Sequence, residues 1–154
     1  MRRNMIESIQ DIDNMKDCTR KPLAPSMNQF FKDAYEKGYM VFEDGSILTT
    51  IIKDENFHDE ARLLFAVPKD ETINAWYCEE DDLGQRGLCE VDTNNGLDKI
   101  VADCITLANT CPRCHKLIGA KNMKVYGFAD FACKDCVSDA YKDFESRYGS
   151  NWYN

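Results

Sequence analysis

Residues 111–136 read CPRCHKLIGAKNMKVYGFADFACKDC. Two Cys-x-x-Cys pairs, Cys111/Cys114 and Cys133/Cys136, stand 18 residues apart. A Cys-x-x-Cys turn aims two sulfurs at one point, and two such turns complete a tetrahedral shell of soft ligands for zinc. All four ligands being cysteine favours a closed, structural zinc over a catalytic one, which keeps a position open. The alternative is two unrelated turns or a redox dithiol. The stretch between the pairs has the length of a small hairpin, with Lys124–Phe128 as one strand and Gly119 and Gly127 as bends. After Cys136 the apolar residues Val137, Ala140, Tyr141, Phe144 and Tyr148 share one helical face, and Gly149 can end that helix. The second pair then sits at a helix N-terminus, where amides and the helix dipole favour thiolate. Knuckle, hairpin and ligand-bearing helix together make a treble-clef-like arrangement.

On Cys111, Cys114, Ile118, Gly119, Cys133 and Cys136 the segment resembles the C-terminal zinc finger of the DksA/TraR family. The resemblance is confined to residues 111–136 and implies a metal-binding role for the four cysteines. Members of that family bind bacterial RNA polymerase through a long acidic coiled coil that enters its secondary channel. Residues 27–95 of this chain carry strand and turn signals instead.

Upstream of the cysteines, Leu97, Ile100, Val101, Cys104, Ile105 and Ala108 recur at helical spacing, so a helix leads directly into the first pair. Cys104 on that face reads as a small core residue. Tyr39–Phe42 and Ile47–Ile52 flank Glu43-Asp44-Gly45-Ser46, and Asp-Gly between apolar runs signals a hairpin. Arg62–Val67 and Thr72–Cys78 read as a second strand pair around Pro68-Lys69-Asp70-Glu71. The first of these can also be drawn as a helix, because residues 59–64 have helix-compatible composition. Glu79–Gly87 reads as an acidic loop and Leu88–Val91 as a short strand. Nearer the start, Ser26 is a candidate cap for a helix bearing Phe30, Phe31, Ala34 and Tyr35, with Gly38 just past its end. Residues 1–25 read as an arm in which Met5, Ile9 and Ile12 can line a short helix. The expected fold is α+β: a small antiparallel sheet with packed helices and a C-terminal treble-clef-like zinc finger. Its divisions are an arm at 1–25, an acidic body at 26–109 and the finger at 110–154.

The 154 residues carry a net charge of −8, distributed unevenly. Residues 1–100 hold 12 basic and 21 acidic side chains, a net of −9, and residues 101–154 hold 7 and 6. Four thiolates and a divalent ion would bring the second segment to −1. With a pI near 4.8, the chain lacks the basic balance usual for a nucleic-acid-binding domain. An acidic body suits a partner with a basic surface. Candidate partner contacts are Glu79, Glu80, Asp81 and Asp82 in the loop, and Trp152 and Tyr153 near the C-terminus. Direct nucleic-acid binding is the competing reading. It would use Arg113, Lys116, Lys121, Lys124 and Lys134, with Tyr126 or Phe128 stacking on bases. These same bases can instead offset the charge of a four-thiolate shell.

Apolar residues make up 44% and charged residues 30%, a globular composition. The opening MRRNMIESIQDIDNM has two arginines and no apolar stretch behind them, so the expectation is a cytoplasmic, reducing setting without a membrane span. Cys18, His58, Cys78 and Cys89 are candidates for a second metal site, though their spacing fits no zinc pattern. His58-Asp59-Glu60 invites comparison with the H-x-E of zinc deaminases, but those pair it with Pro-Cys-x-x-Cys, which is absent. An enzyme sited in the N-terminal body is the third reading. No phosphate-binding glycine loop, nucleophile elbow or H-E-x-x-H motif is present. The leading expectation is a non-enzymatic regulator, adaptor or inhibitor with a structural zinc.

Overall fold

The computed structural model describes residues 4–16, 20–66, 72–79, 85–126 and 130–148. Its body is a five-stranded antiparallel sheet whose strands follow one another in chain order: β1 (Met40–Val41), β2 (Ile47–Leu48), β3 (Arg62–Ala66), β4 (Ile73–Cys78) and β5 (Arg86–Val91). Asp44-Gly45 makes the first turn. Gly45 has φ +85, and Phe42 N–H donates to the Ser46 carbonyl at 2.9 Å. The strands on either side are paired Met40 to Leu48 and Val41 to Ile47.

Residues 62–66 form a strand, not a helix. Leu63 and Phe65 are fully buried, while Arg62, Leu64 and Ala66 are half-exposed on the other face. That two-residue period decides the element against helix-compatible composition. Just upstream, Glu60 takes φ +63 in the turn that leads into the strand. β4 alternates likewise, with Ile73, Ala75 and Tyr77 buried and Trp76 turned outward. Between β4 and β5 the register shifts, so that Ala75 faces Cys89 while Trp76 faces Gly87. Leu88 is therefore the extra residue of a bulge, and both it and Cys89 pack toward the core. Gly87 leaves room for the Trp76 ring, 3.4 Å from where a Cβ would stand.

β5 starts at Arg86, two residues earlier than expected from Leu88–Val91. The loop read as Glu79–Gly87 is shortened accordingly. Arg86 belongs in the strand because its charge is satisfied by groups far away in sequence.

Helix α1 (Ile9–Asp13) is short, and helix α2 (Pro25–Glu36) lays Phe30, Phe31 and Ala34 on the sheet. Phe30 meets Phe65 edge-to-face at 5.5 Å. Ser26 does not cap α2. Ala24 occupies the N-cap position and Pro25 the first turn, where a missing N–H costs nothing. The Ser26 hydroxyl instead shares a 2.7 Å hydrogen bond with Thr93. At the other end Gly38, with φ +89, closes a Schellman motif. Its N–H donates to Tyr35 O, and Tyr39 N–H donates to Ala34 O. Within residues 4–16, Ile6, Ile12 and Met15 are buried in the same core, and Ile6 N–H donates to Val41 O.

Helix α3 (Leu97–Ala108) buries Leu97, Ile100, Cys104 and Ala108, the stripe expected from its spacing. Beyond it lie a two-stranded hairpin, β6 (Met123–Tyr126) and β7 (Asp130–Cys133), and helix α4 (Val137–Tyr148) packed against both strands. The expected strand Lys124–Phe128 is thus displaced toward Met123, and Gly127 and Phe128 lie outside the described residues. The fold is α+β. Among the described residues no helix is long and apolar enough to cross a membrane.

Candidate metal centre

The first cysteine turn begins two residues after α3. Thr110 bridges to Leu117. Inside that bridge Cys111 N–H donates to Lys116 O and His115 N–H to Cys111 O, each at 2.9 Å. Closing so tight a loop needs a left-handed residue. His115 supplies it at φ +61, a region in which histidine is tolerated better than most side chains. The second turn joins β7 to α4. Cys133 ends the strand, Cys136 N–H donates to Cys133 O at 3.0 Å, and Val137 opens the helix.

These two turns bring the four sulfurs within 4.8 Å of one another. Cys111 and Cys133 are 0% and 3% exposed, whereas Cys114 and Cys136 are half-buried. Each turn thus contributes one inner and one outer ligand. The Cys114 and Cys133 sulfurs lie 3.9 Å apart, nearly twice the roughly 2.05 Å of a disulfide bond. Among the described residues, Ala132, Ala140, Ile118 and Val137 cluster with them, so the thiols make up much of the core here. The group can hold a metal ion, and among the described residues it is the one cluster of three or more such ligands.

Burial works against ionising Cys111, but the N–H groups of Cys114, Cys133 and Arg113 outweigh it and bring the thiol down to about 6. One of those contacts, Cys133 N–H to Cys111 Sγ, measures 3.4 Å. Cys136 is pushed the other way, to about 12, first by its hydrogen bond to Cys133 and then by burial and the remaining sulfurs. The amides that favour the Cys111 thiolate therefore come from the knuckle and from β7. Four sulfurs this close cannot all ionise without a cation among them, because like charges raise one another's pKa.

Several contacts missed in the sequence fasten the cysteine turns to the body. Asn109, 5% exposed, accepts Ala120 N–H on its side chain at 2.9 Å. Its carbonyl takes the N–H groups of Ile118 and Gly119. Ala120 packs with Phe57, Ala61, Tyr77 and Ala108. Lys121 donates its backbone N–H to Asn56 O and its ammonium to Glu55 O. Gly119 has φ +97, and a Cβ there would stand 3.2 Å from Asn56 Cβ. Asparagine after an apolar helix is a plausible signal for a cap, but nothing local reveals which loop it binds.

Of the five candidate nucleic-acid bases, Arg113 pairs with Asp143 of α4 at 2.6 Å and Lys121 is tied to Glu55. Lys116, Lys124 and Lys134 are exposed, as is His115. His58 faces Glu79 at 3.3 Å and does not approach the four cysteines. Cys78 stands opposite Arg62, while Cys89 stands opposite Ala75 and hydrogen-bonds to Cys104. Burial and that neighbour push the Cys104 thiol far up, as suits a core residue. Cys18, Glu80, Asp81, Asp82, Trp152 and Tyr153 lie outside the described residues.

No family model, curated protein or solved structure matches the chain. The likeness to the DksA/TraR finger rests on the residues of the segment alone.

Proposed function

We propose that Cys111, Cys114, Cys133 and Cys136 hold one structural zinc ion in a treble-clef-like finger. We further propose that the chain is a non-enzymatic regulatory or adaptor protein that acts by binding a macromolecular partner. The observation that carries the metal reading is the convergence of four sulfurs within 4.8 Å. A tetrahedron with zinc–sulfur bonds of ~2.3 Å has edges of about 3.8 Å, close to the 3.9 Å between Cys114 and Cys133. A divalent ion at the centre also relieves the charge conflict among the thiols. Four thiolates leave no vacant coordination position, which favours structure over catalysis.

Zinc must displace protons here, so its affinity depends on pH. Cys111 is held toward its thiolate form and Cys136 toward its thiol, so binding displaces the Cys136 proton to solvent. In the metal-free chain, the lowered pKa of Cys111 favours the folded state at high pH. That contribution is lost as pH falls through about 6. Both effects have one sign. Zinc affinity, followed by chelator competition, is expected to weaken steadily from pH 8 to pH 6, with proton release on binding seen as buffer-dependent heat. A flat profile would contradict the thiol ligands.

The net charge of −9 on residues 1–100 supports a protein partner with a basic surface, of the kind found on nucleic-acid-handling, transcription or defence machinery. The zinc-loaded chain, used as bait in a native extract at low salt with and without nuclease, is expected to retain a protein in fixed ratio under both conditions. That complex should weaken as salt is added. Recovery of nucleic acid alone, or of no partner, would overturn this reading.

A further inference from the structure

We propose that Arg86, from the body, positions the two halves of the metal centre; this rests on the zinc reading above. Arg86 opens β5, and its guanidinium spans the joint between α3 and the cysteine turns. One prong, Nη2, donates to Thr110 O at 2.9 Å and to Leu107 O at 3.3 Å. The other, Nη1, donates to Ala108 O at 3.1 Å and lies 3.1 Å from Met123 Sδ. The plane sits over the Phe131 ring, 5.7 Å from its centroid.

These partners tie Arg86 to both cysteine turns. Thr110 is the residue before Cys111. Met123 stands directly opposite Cys133 in the hairpin, and Phe131 precedes Cys133 by two on the same strand face. One fork therefore grips the peptide beside the first ligand and the hairpin whose second strand carries the third. A residue serving only to cap α3 would need the Leu107 and Ala108 carbonyls and nothing more. The planar, permanently charged guanidinium can make all these contacts at once, which a lysine ammonium cannot. It also places a half-buried positive charge beside a shell of formal charge −2. Metal ligands bind well only when their supporting groups hold them within about 0.5 Å of the required geometry.

The test uses the full chain with Arg86→Met and Arg86→Lys. Zinc affinity is read by competition with a chromophoric chelator, at a temperature where far-UV circular dichroism shows each protein folded. Melting is followed with and without zinc. Arg86→Met is expected to bind zinc roughly 10–100-fold more weakly, with Arg86→Lys in between. The rise in Tm that zinc confers should shrink in the same order. Wild-type affinity in folded Arg86→Met, with equal losses of Tm in the free and loaded forms, would overturn the proposal and leave Arg86 a helix cap. If Arg86→Met does not fold, Arg86→Lys decides on the same reading, unchanged affinity again overturning it. Absence of zinc binding in the wild-type chain would sink the metal reading itself, and this proposal with it. That failure is read in the unmutated chain and so is separate from a failure of the Arg86 role.

Discussion

Serine at Cys111 or Cys133 is expected to abolish stoichiometric zinc and to unfold residues 111–148 while leaving the five-stranded sheet folded. Among the described residues the apolar material around these sulfurs is slight. Ala132 and Ala140 are buried with them, and Met123, Phe131 and Phe144 add the larger side chains of this part of the chain. So small a core offsets little of the chain entropy lost on ordering residues 111–148. Structural zinc contributes on the order of 10 kcal/mol to small fingers, so losing a ligand removes what organises the segment. The inner pair should be the more severe, because a buried serine leaves a hydroxyl where a thiolate lay. At the half-buried Cys114 and Cys136, solvent can partly substitute. The sheet survives because its own core, from Ile12 and Phe30 to Ile100, does not depend on the cysteines. Metal analysis and amide hydrogen exchange would together follow the outcome. A variant retaining one zinc and its wild-type Tm would contradict the account.

The second large effect falls on the body. Phe65 lies on β3, the middle of the five strands, is 0% exposed, and meets Phe30 of α2 edge-to-face at 5.5 Å. Phe65→Ala removes a ring where sheet and helix join, and leaves a cavity that a close-packed interior cannot fully collapse. The expected loss is about 3–5 kcal/mol, or roughly 10 °C in Tm for a domain of this size. Urea unfolding should show a lower midpoint with little change in slope. The zinc site should remain loaded under native conditions, since Phe65 and the cysteines belong to separate clusters. A loss below about 1 kcal/mol would mean that Phe65 is not packed as described.

What was legible in the sequence follows from which signals are local. The Asp44-Gly45 turn was readable because a glycine able to take positive φ sits between two apolar runs. The α3 stripe was readable because twelve residues keep one helical period. The cysteine pairs were readable because metal chemistry constrains both residue type and spacing. Three features were not legible, and each is settled by contacts distant in sequence. Residues 62–66 suited either helix or strand until pairing with β4 chose the two-residue period. Ser26 looked like a cap, but Pro25 already fits the first turn of α2 and frees the hydroxyl for Thr93. Arg86 looked like part of a charged loop because a strand with an arginine at its edge is unremarkable locally. Its partners, the α3 carbonyls and the cysteine-bearing hairpin, follow it by more than twenty residues. Likewise the spacing of Cys-x-x-Cys could place four sulfurs together, but not the docking of their loop onto Asn56, Phe57 and Tyr77.

Zinc K-edge X-ray absorption on protein purified under reducing conditions without added metal, with the zinc content of the same sample, bears on the central claim most directly. The account predicts one zinc per chain and a first shell of four sulfur atoms at ~2.3 Å. Metal-free protein, or a shell containing nitrogen or oxygen in place of any of the four sulfurs, would contradict it.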